Sequence, residues 1–211
     1  MSKRRESELK LRESLTEIIK ETWRCFACSQ ASGEAEGAEG CLRPFVRSWY
    51  GKGPWFFPEW GGVKGFFGDG GKRRAMFIAP RPSTGRFPDE PVKQFYGALR
   101  DSGFQDAHLT DIVKCRGEAG EPPEEMVENC LRYLLEEAKL VKPRLVVIVG
   151  KSYERRLRKI AQRLEEELGY EVSKEVIHHY SLRGRWNEKC REDIRLLAKK
   201  YPANESGSLH S

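Results

Sequence analysis

Four short apolar runs constrain this chain more than any other feature: Ala75–Ala79, 107–113, 144–150 and 175–181. Runs this short, bounded by turn residues and rich in Val and Ile, suit strands buried on both faces. The stretches between them carry helical periodicity. Strand alternating with helix implies parallel strands with crossover helices on both faces. The expected fold is therefore α/β, a three-layer α/β/α sandwich with a central four-stranded parallel sheet. In such sheets ligands bind beyond the carboxyl ends of the strands. Three of the four runs end in residues capable of chemistry: A-P-R-P-S-T-G-R-F-P-D after the first, T-D-I-V-K-C-R at the second and H-H-Y-S-L-R at the fourth.

The helical stretches are legible from their apolar faces. Residues 6–23 place Leu11, Leu15, Ile18, Ile19 and Trp23 on one stripe. Residues 91–102 do the same with Val92, Phe95, Tyr96 and Leu99, and Gly103 suits the end. Pro122 and Pro123 open a long helix bearing Met126, Val127, Cys130, Leu131, Leu134, Leu135 and Ala138, and Pro143 stops it. Ser152 is placed to cap a helix that Gly169 ends. A last helix is expected over 187–201. Residues 1–201 read as one domain, with an aromatic and Gly-rich insertion at about 41–71 and a disordered polar tail at 202–211. In the insertion, Trp49, Tyr50, Trp55, Phe56, Phe57, Trp60, Phe66 and Phe67 alternate with Gly and Pro. These rings either pack an irregular flap on the core or meet nucleic-acid bases.

Composition narrows the function classes. A net charge of +6 permits nucleic-acid binding without requiring it. No apolar run approaches the roughly 20 residues that span a bilayer, and the start M-S-K-R-R-E-S-E lacks the apolar core of a signal peptide. A cytoplasmic monomer without membrane contact is the expectation. In that compartment six cysteines favour metal ligation or buried thiols over disulfides. There is no G-x-G-x-x-G and no Walker A sequence, and Gly68-Asp-Gly-Gly71 precedes a strand, so it reads as a turn.

The order of motifs carries a resemblance. An N-terminal helix runs into Cys25-x-x-Cys28; then come D-I-V-K-C-R, a Pro-rich joint, E-E-M-V-E-N-C-L-R-Y-L and K-P-R-L-V-V-I-V-G. This arrangement resembles the uracil-DNA glycosylase superfamily, in particular its iron-sulfur branches, families four and five, over roughly residues 9–201. The resemblance implies a DNA base-excision repair glycosylase. Such an enzyme hydrolyses the N-glycosidic bond of uracil or another deaminated or damaged base flipped out of DNA. A non-catalytic or differently specific DNA- or nucleotide-binding member of the same fold is the alternative.

By the resemblance, Cys25, Cys28, Cys115 and Cys130 match the four ligands of a structural [4Fe-4S] cluster. Four thiolates also suit zinc, and spacing alone does not separate the two. Cys190 lies on an apolar helix face and reads as core. The loop Ala79, Pro80, Arg81, Pro82 and Ser83 matches the segment that binds the flipped nucleotide. Gly85-Arg86-Phe87-Pro88-Asp89 resembles the family-five arrangement. That match has Phe87 stack on the base and Asp89 activate the attacking water, as the catalytic carboxylate. A helix N-cap is the competing reading of Asp89, and the match can slip to Glu90. Asp111 stands where family four carries an Asn that reads the base edge; a structural strand-end Asp is the other reading. His178-His179-Tyr180-Ser181 resembles a His-Pro-Ser loop with Tyr180 in place of Pro. His179 then stabilises the departing base as the second catalytic group, Ser181 binds phosphate, and Leu182 or Arg183 wedges into the duplex. Arg185, like Arg81 and Arg183, is a candidate phosphate contact.

Overall fold

The computed structural model describes residues 3–23, 25, 27, 56–82, 87–114, 121–181 and 185–203. Strands β1 (Ala75–Ala79), β2 (His108–Asp111), β3 (Leu145–Val149) and β4 (Ser173–Ile177) form one parallel sheet in the order β2-β1-β3-β4. The first three are buried at every position, β1 and β3 as their unbroken apolar sequences demand and β2 despite His108, Thr110 and Asp111; β4, at the edge, buries only Ile177. In the register Ala79 pairs with Asp111, and Val149 with Ile177, so the strand ends that carry polar residues lie side by side.

Among the described residues five helices surround the sheet: α1 (Lys3–Trp23), α2 (Glu90–Asp101), α3 (Glu124–Val141), α4 (Glu154–Leu168) and α5 (Arg185–Lys200). Alternate strand residues point to opposite faces. Met76, Ile78, Val146 and Ile148 meet α3 and α4, while Phe77, Val147 and Val149 meet α2 and α5. The result is the expected three-layer sandwich. Helix α1 sits outside it, with Leu15, Ile18 and Ile19 clustered against Tyr133 of α3 and Phe66. Cys190 is core, as expected.

Several boundaries differ from the sequence reading, three of them with a visible cause or consequence. The fourth strand ends at Ile177 rather than at Ser181, because the His178 N–H donates to Asp193 Oδ2 (2.8 Å) instead of to the sheet. His179 to Ser181 therefore form a turn beyond the sheet edge. Ser152 does not cap α4; it lies within a 3-10 turn, Lys151–Tyr153, that precedes the helix. The last helix begins two residues early, at Arg185. Within the aromatic insertion, Phe56, Phe57 and Phe66 are buried, which is the core-packing reading for that part. Trp49, Tyr50 and Trp55 lie outside the described residues.

Candidate active site at the carboxyl edge of the sheet

The loops after β1 and β2 are zipped together beyond the strands. The Ala79 carbonyl accepts from Ile112 N–H (2.8 Å), and the Pro80 carbonyl accepts from Val113 N–H (3.2 Å). Ala79, Pro80 and Pro82 are buried and Arg81 is half-buried, so this expected nucleotide loop is a firm shelf rather than a free strap.

Asp111, the last residue of β2, is only 3% exposed. The nearest cation is spent elsewhere. Lys114 Nζ donates to Thr110 Oγ1 (2.6 Å) and to the Asp111 backbone carbonyl (2.6 Å), and it pairs with Glu137 Oε1 of α3 at 2.7 Å. Lys114 thus spends two donors on hydrogen bonds and its charge on the Glu137 carboxylate. Glu137 is fully buried and also meets His108 Nε2 at 3.3 Å. Burial pushes the Glu137 carboxyl up, but Lys114 and His108 outweigh it and hold it below the usual carboxylate range. Asp111 has no such rescue. Burial lifts its carboxyl to about 8, against the weaker pull of Lys114 and Arg81, and Glu137 adds to the rise.

The turn after β4 delivers His179. Its Nδ1 accepts from the backbone N–H of Ser181 (3.1 Å) and lies 2.8 Å from the Ser181 hydroxyl. A backbone N–H only donates, so Nδ1 is the acceptor and the neutral ring carries its proton on Nε2. Burial lowers its imidazole to about 4, so the ring is neutral at physiological pH. Gly150, at the end of β3, makes room for it: a Cβ there would stand 3.4 Å from His179 Cδ2 and 3.0 Å from Tyr153 Cδ2. His178 is turned away, with Nδ1 2.7 Å from Asp193 Oδ2 on α5.

Tyr180 joins these parts. Its ring stacks on His179 on one side and on Phe95 of α2, 4.7 Å away, and meets Phe57 edge-on. Burial raises its hydroxyl well above the usual phenol, and the carboxylates of Asp111 and Asp89 add to that rise. Asp89 and Asp111 thus face the same tyrosine from different strand ends. Asp89 is the N-cap of α2, its Oδ1 accepting from Val92 N–H at 3.0 Å. The capping reading of Asp89 is realised, and it commits one of two carboxylate oxygens. Phe87 lies beside it, half-buried, in T-shaped contact with Trp60 and Tyr96.

A second centre forms where α1 meets α3. Cys25 follows the last turn of α1, its N–H donating to Thr22 O (3.2 Å). Arg132 Nη2 is 3.8 Å from Cys25 Sγ, and Asn129 Nδ2 donates to Ala27 O at 3.0 Å. Positions 129 and 132 flank the buried Cys130, so Cys25 and Ala27 are held against its stretch of α3. Lys114, next to Cys115 in sequence, is tied through Glu137 to the same helix. A guanidinium beside thiol sulfur, and two cysteines from distant segments gathered on one helix, suit an anionic thiolate-ligated centre. Among the described residues no group of three or more metal-ligating side chains occurs.

Ser83, Leu182, Arg183, Cys28, Cys115 and the side chain of Arg185 lie outside the described residues. Of the remaining candidates, the structure brings Ala79 to Pro82, Phe87, Asp89, Asp111, His179 and Ser181 to the carboxyl edge of the sheet. Sequence reasoning missed the buried Lys114–Glu137–His108 chain and the joining role of Tyr180. A lysine and a glutamate on otherwise apolar faces were the available signals.

The profile of the uracil DNA glycosylase superfamily matches residues 23–202. The type-4 uracil-DNA glycosylase of Pyrobaculum aerophilum is 35% identical over 109 residues, a match covering 46% of this chain and 55% of that protein. The chain thus spans about half the length of that curated relative. With a profile matched across nearly the whole sandwich, the chain belongs to the uracil DNA glycosylase superfamily.

Proposed function

We propose that this protein is a DNA glycosylase of base-excision repair that hydrolyses the N-glycosidic bond of uracil or another deaminated base flipped out of duplex DNA. The observation that carries this reading is the fixed tautomer of His179, which leaves an Nε2–H donor at the carboxyl edge of the sheet. The name of the Pyrobaculum relative supports the substrate class.

Breaking the bond between base and sugar leaves positive charge on the sugar and negative charge on the base. His179, neutral and anchored by Ser181, donates from Nε2 to the base oxygen where negative charge gathers; a preplaced donor of this kind costs little reorganisation. Asp89 keeps Oδ1 on the α2 cap. Its second oxygen orients the attacking water and faces the developing sugar cation. Phe87 stacks on the base, and the shelf Ala79–Pro82 with Ser83 holds the nucleotide. Ser181, Arg81, Arg183 and Arg185 serve the phosphates, and Leu182 fills the gap in the duplex. Extrusion costs a few kcal/mol, least for a mispaired or damaged base.

We further assign Cys25, Cys28, Cys115 and Cys130 to a [4Fe-4S] cluster. Its chemistry is structural: it ties the end of α1 and the loop after β2 to α3. No step of base removal runs through it.

Incubating the protein with duplexes carrying one uracil, hypoxanthine or xanthine, followed by alkaline strand cleavage, tests the reading. Abasic sites in a modified duplex, and none in the unmodified control, are expected. DNA binding without base release from any of them would favour the non-catalytic alternative.

A further inference from the structure

Asp111 is an odd residue to place against a base. An ionised carboxylate only accepts hydrogen bonds, and it would repel a base carbonyl. The surroundings point to a different species. Asp111 sits at the inner end of the site, paired in register with Ala79 of the nucleotide shelf. Its Oδ1 is fully buried and has no hydrogen-bond partner among the described residues. A buried polar atom without a partner costs free energy unless a ligand or water satisfies it. The adjacent ammonium, Lys114, donates to Thr110 Oγ1 and to the Asp111 backbone carbonyl and pairs with Glu137, and none of these contacts is with the Asp111 carboxylate.

We propose that Asp111 meets the extruded base as a neutral carboxylic acid, donating its O–H to a ring carbonyl and accepting from the adjacent ring N–H. The site therefore takes bases with a lactam edge, such as uracil and the deaminated purines. This assignment rests on the glycosylase reading for the presence of an extruded base. A neutral carboxyl supplies one donor and one acceptor side by side, the same complement as a carboxamide. The charged and titratable groups around Asp111 are Lys114, Glu137, Arg81 and Tyr180. Glu137 opposes a further negative charge there, and its ion pair with Lys114 offsets the pull of that ammonium. The rise of the carboxyl to about 8 agrees with this geometry.

The test measures the contribution of the base to binding. One duplex carries 2′-fluoro-2′-deoxyuridine, which resists hydrolysis, and a matched duplex carries a tetrahydrofuran abasic analogue. The ratio of the two affinities is followed from pH 6 to pH 9 in the wild type and in Asp111→Asn. In the wild type the ratio should hold steady below about pH 7 and fall by as much as tenfold per unit above about pH 8, as the acid ionises. In Asp111→Asn it should stay level; titration of the base itself would appear in both proteins. A wild-type ratio that is level, or that falls equally in the variant, overturns the proposal. An infrared spectrum of the wild type alone provides a second reading: a protonated carboxyl stretch present at pH 7 and lost above pH 8 is expected, and its absence at pH 7 overturns the proposal. Base release from an ordinary uracil duplex at pH 7 separates the two ideas. Release with a level ratio sinks the Asp111 assignment alone. A falling ratio without release sinks the glycosylase reading alone.

Discussion

The ring of Tyr180 lies on the ring of His179 with centroids 4.6 Å apart and planes tilted by 24°. Phe95 closes the other side of Tyr180 at 4.7 Å and 22°. A helix of the sandwich thereby reaches through Tyr180 to set the plane of the imidazole. Tyr180 stands where the resemblance to a His-Pro-Ser loop has proline, and the geometry gives this flat aromatic a positioning role.

Replacing Tyr180 by Leu should keep much of the buried volume but lose the stack. Misplacing a reacting group by about 1 Å costs on the order of 10²-fold in rate. Single-turnover base release should therefore fall by about that factor with DNA affinity little changed, whereas Tyr180→Phe should retain most activity. Equal losses in both variants would assign the role to the hydroxyl instead.

His179 predicts a stability change with acid. Its imidazole is held near 4 in the folded protein, against about 6.5 in the unfolded chain. Between these values the unfolded chain binds the extra proton, so stability rises with pH across that window and is lost as pH falls through it. Urea midpoints measured at pH 7 and pH 4.5 should drop less in His179→Asn than in the wild type. The same shift predicts that base release shows no acid limb from this residue near pH 6.5. Such a limb, abolished in the variant, would mean that the ring titrates near its free value instead of being held neutral down to about pH 4.

The buried pair Lys114–Glu137 predicts an asymmetric mutational response. Lys114→Met leaves Glu137 charged and buried and should cost about 3–5 kcal/mol in thermal or urea unfolding. Replacing Glu137 by Leu as well should recover much of that loss. A mild effect of Lys114→Met alone would show that the pair is less isolated from water than its burial indicates.

The proposed cluster predicts colour. Protein purified without oxygen should be brown, with about four iron per chain. Cys25→Ser or Cys130→Ser should bleach it, while Cys190→Ser should not, since that thiol is packed in the core. A colourless protein holding zinc on the same four residues would overturn the cluster.

The frame of this molecule was legible because three of its four strands are buried on both faces. Runs such as A-M-F-I-A and L-V-V-I-V announce that burial without ambiguity. The helices were legible from their apolar stripes, and Val92, Phe95, Tyr96 and Leu99 are all buried. The fourth strand was read too far because V-I-H-H-Y has no turn residue to mark its end. That end is set by Asp193, fifteen residues away in sequence. The site was legible as a set of strand-end residues, but their states were not. The raised carboxyl of Asp111 comes from its burial and from Glu137, a residue on α3 that pairs with Lys114. The tautomer of His179 depends on a turn that folds Ser181 back onto it. Tertiary contacts of this kind leave no periodicity to read.

The central claim is that His179 and Asp89, brought from two strand ends to one tyrosine, remove a deaminated base from DNA. Single-turnover release of uracil from a duplex with one uracil tests it most directly, comparing the wild type with His179→Ala and Asp89→Asn. The account predicts release by the wild type and losses of roughly 10²–10³ for His179→Ala and roughly 10²–10⁴ for Asp89→Asn, with DNA affinity little changed in either. Full activity in both variants, or no release by a correctly folded wild type, would contradict it.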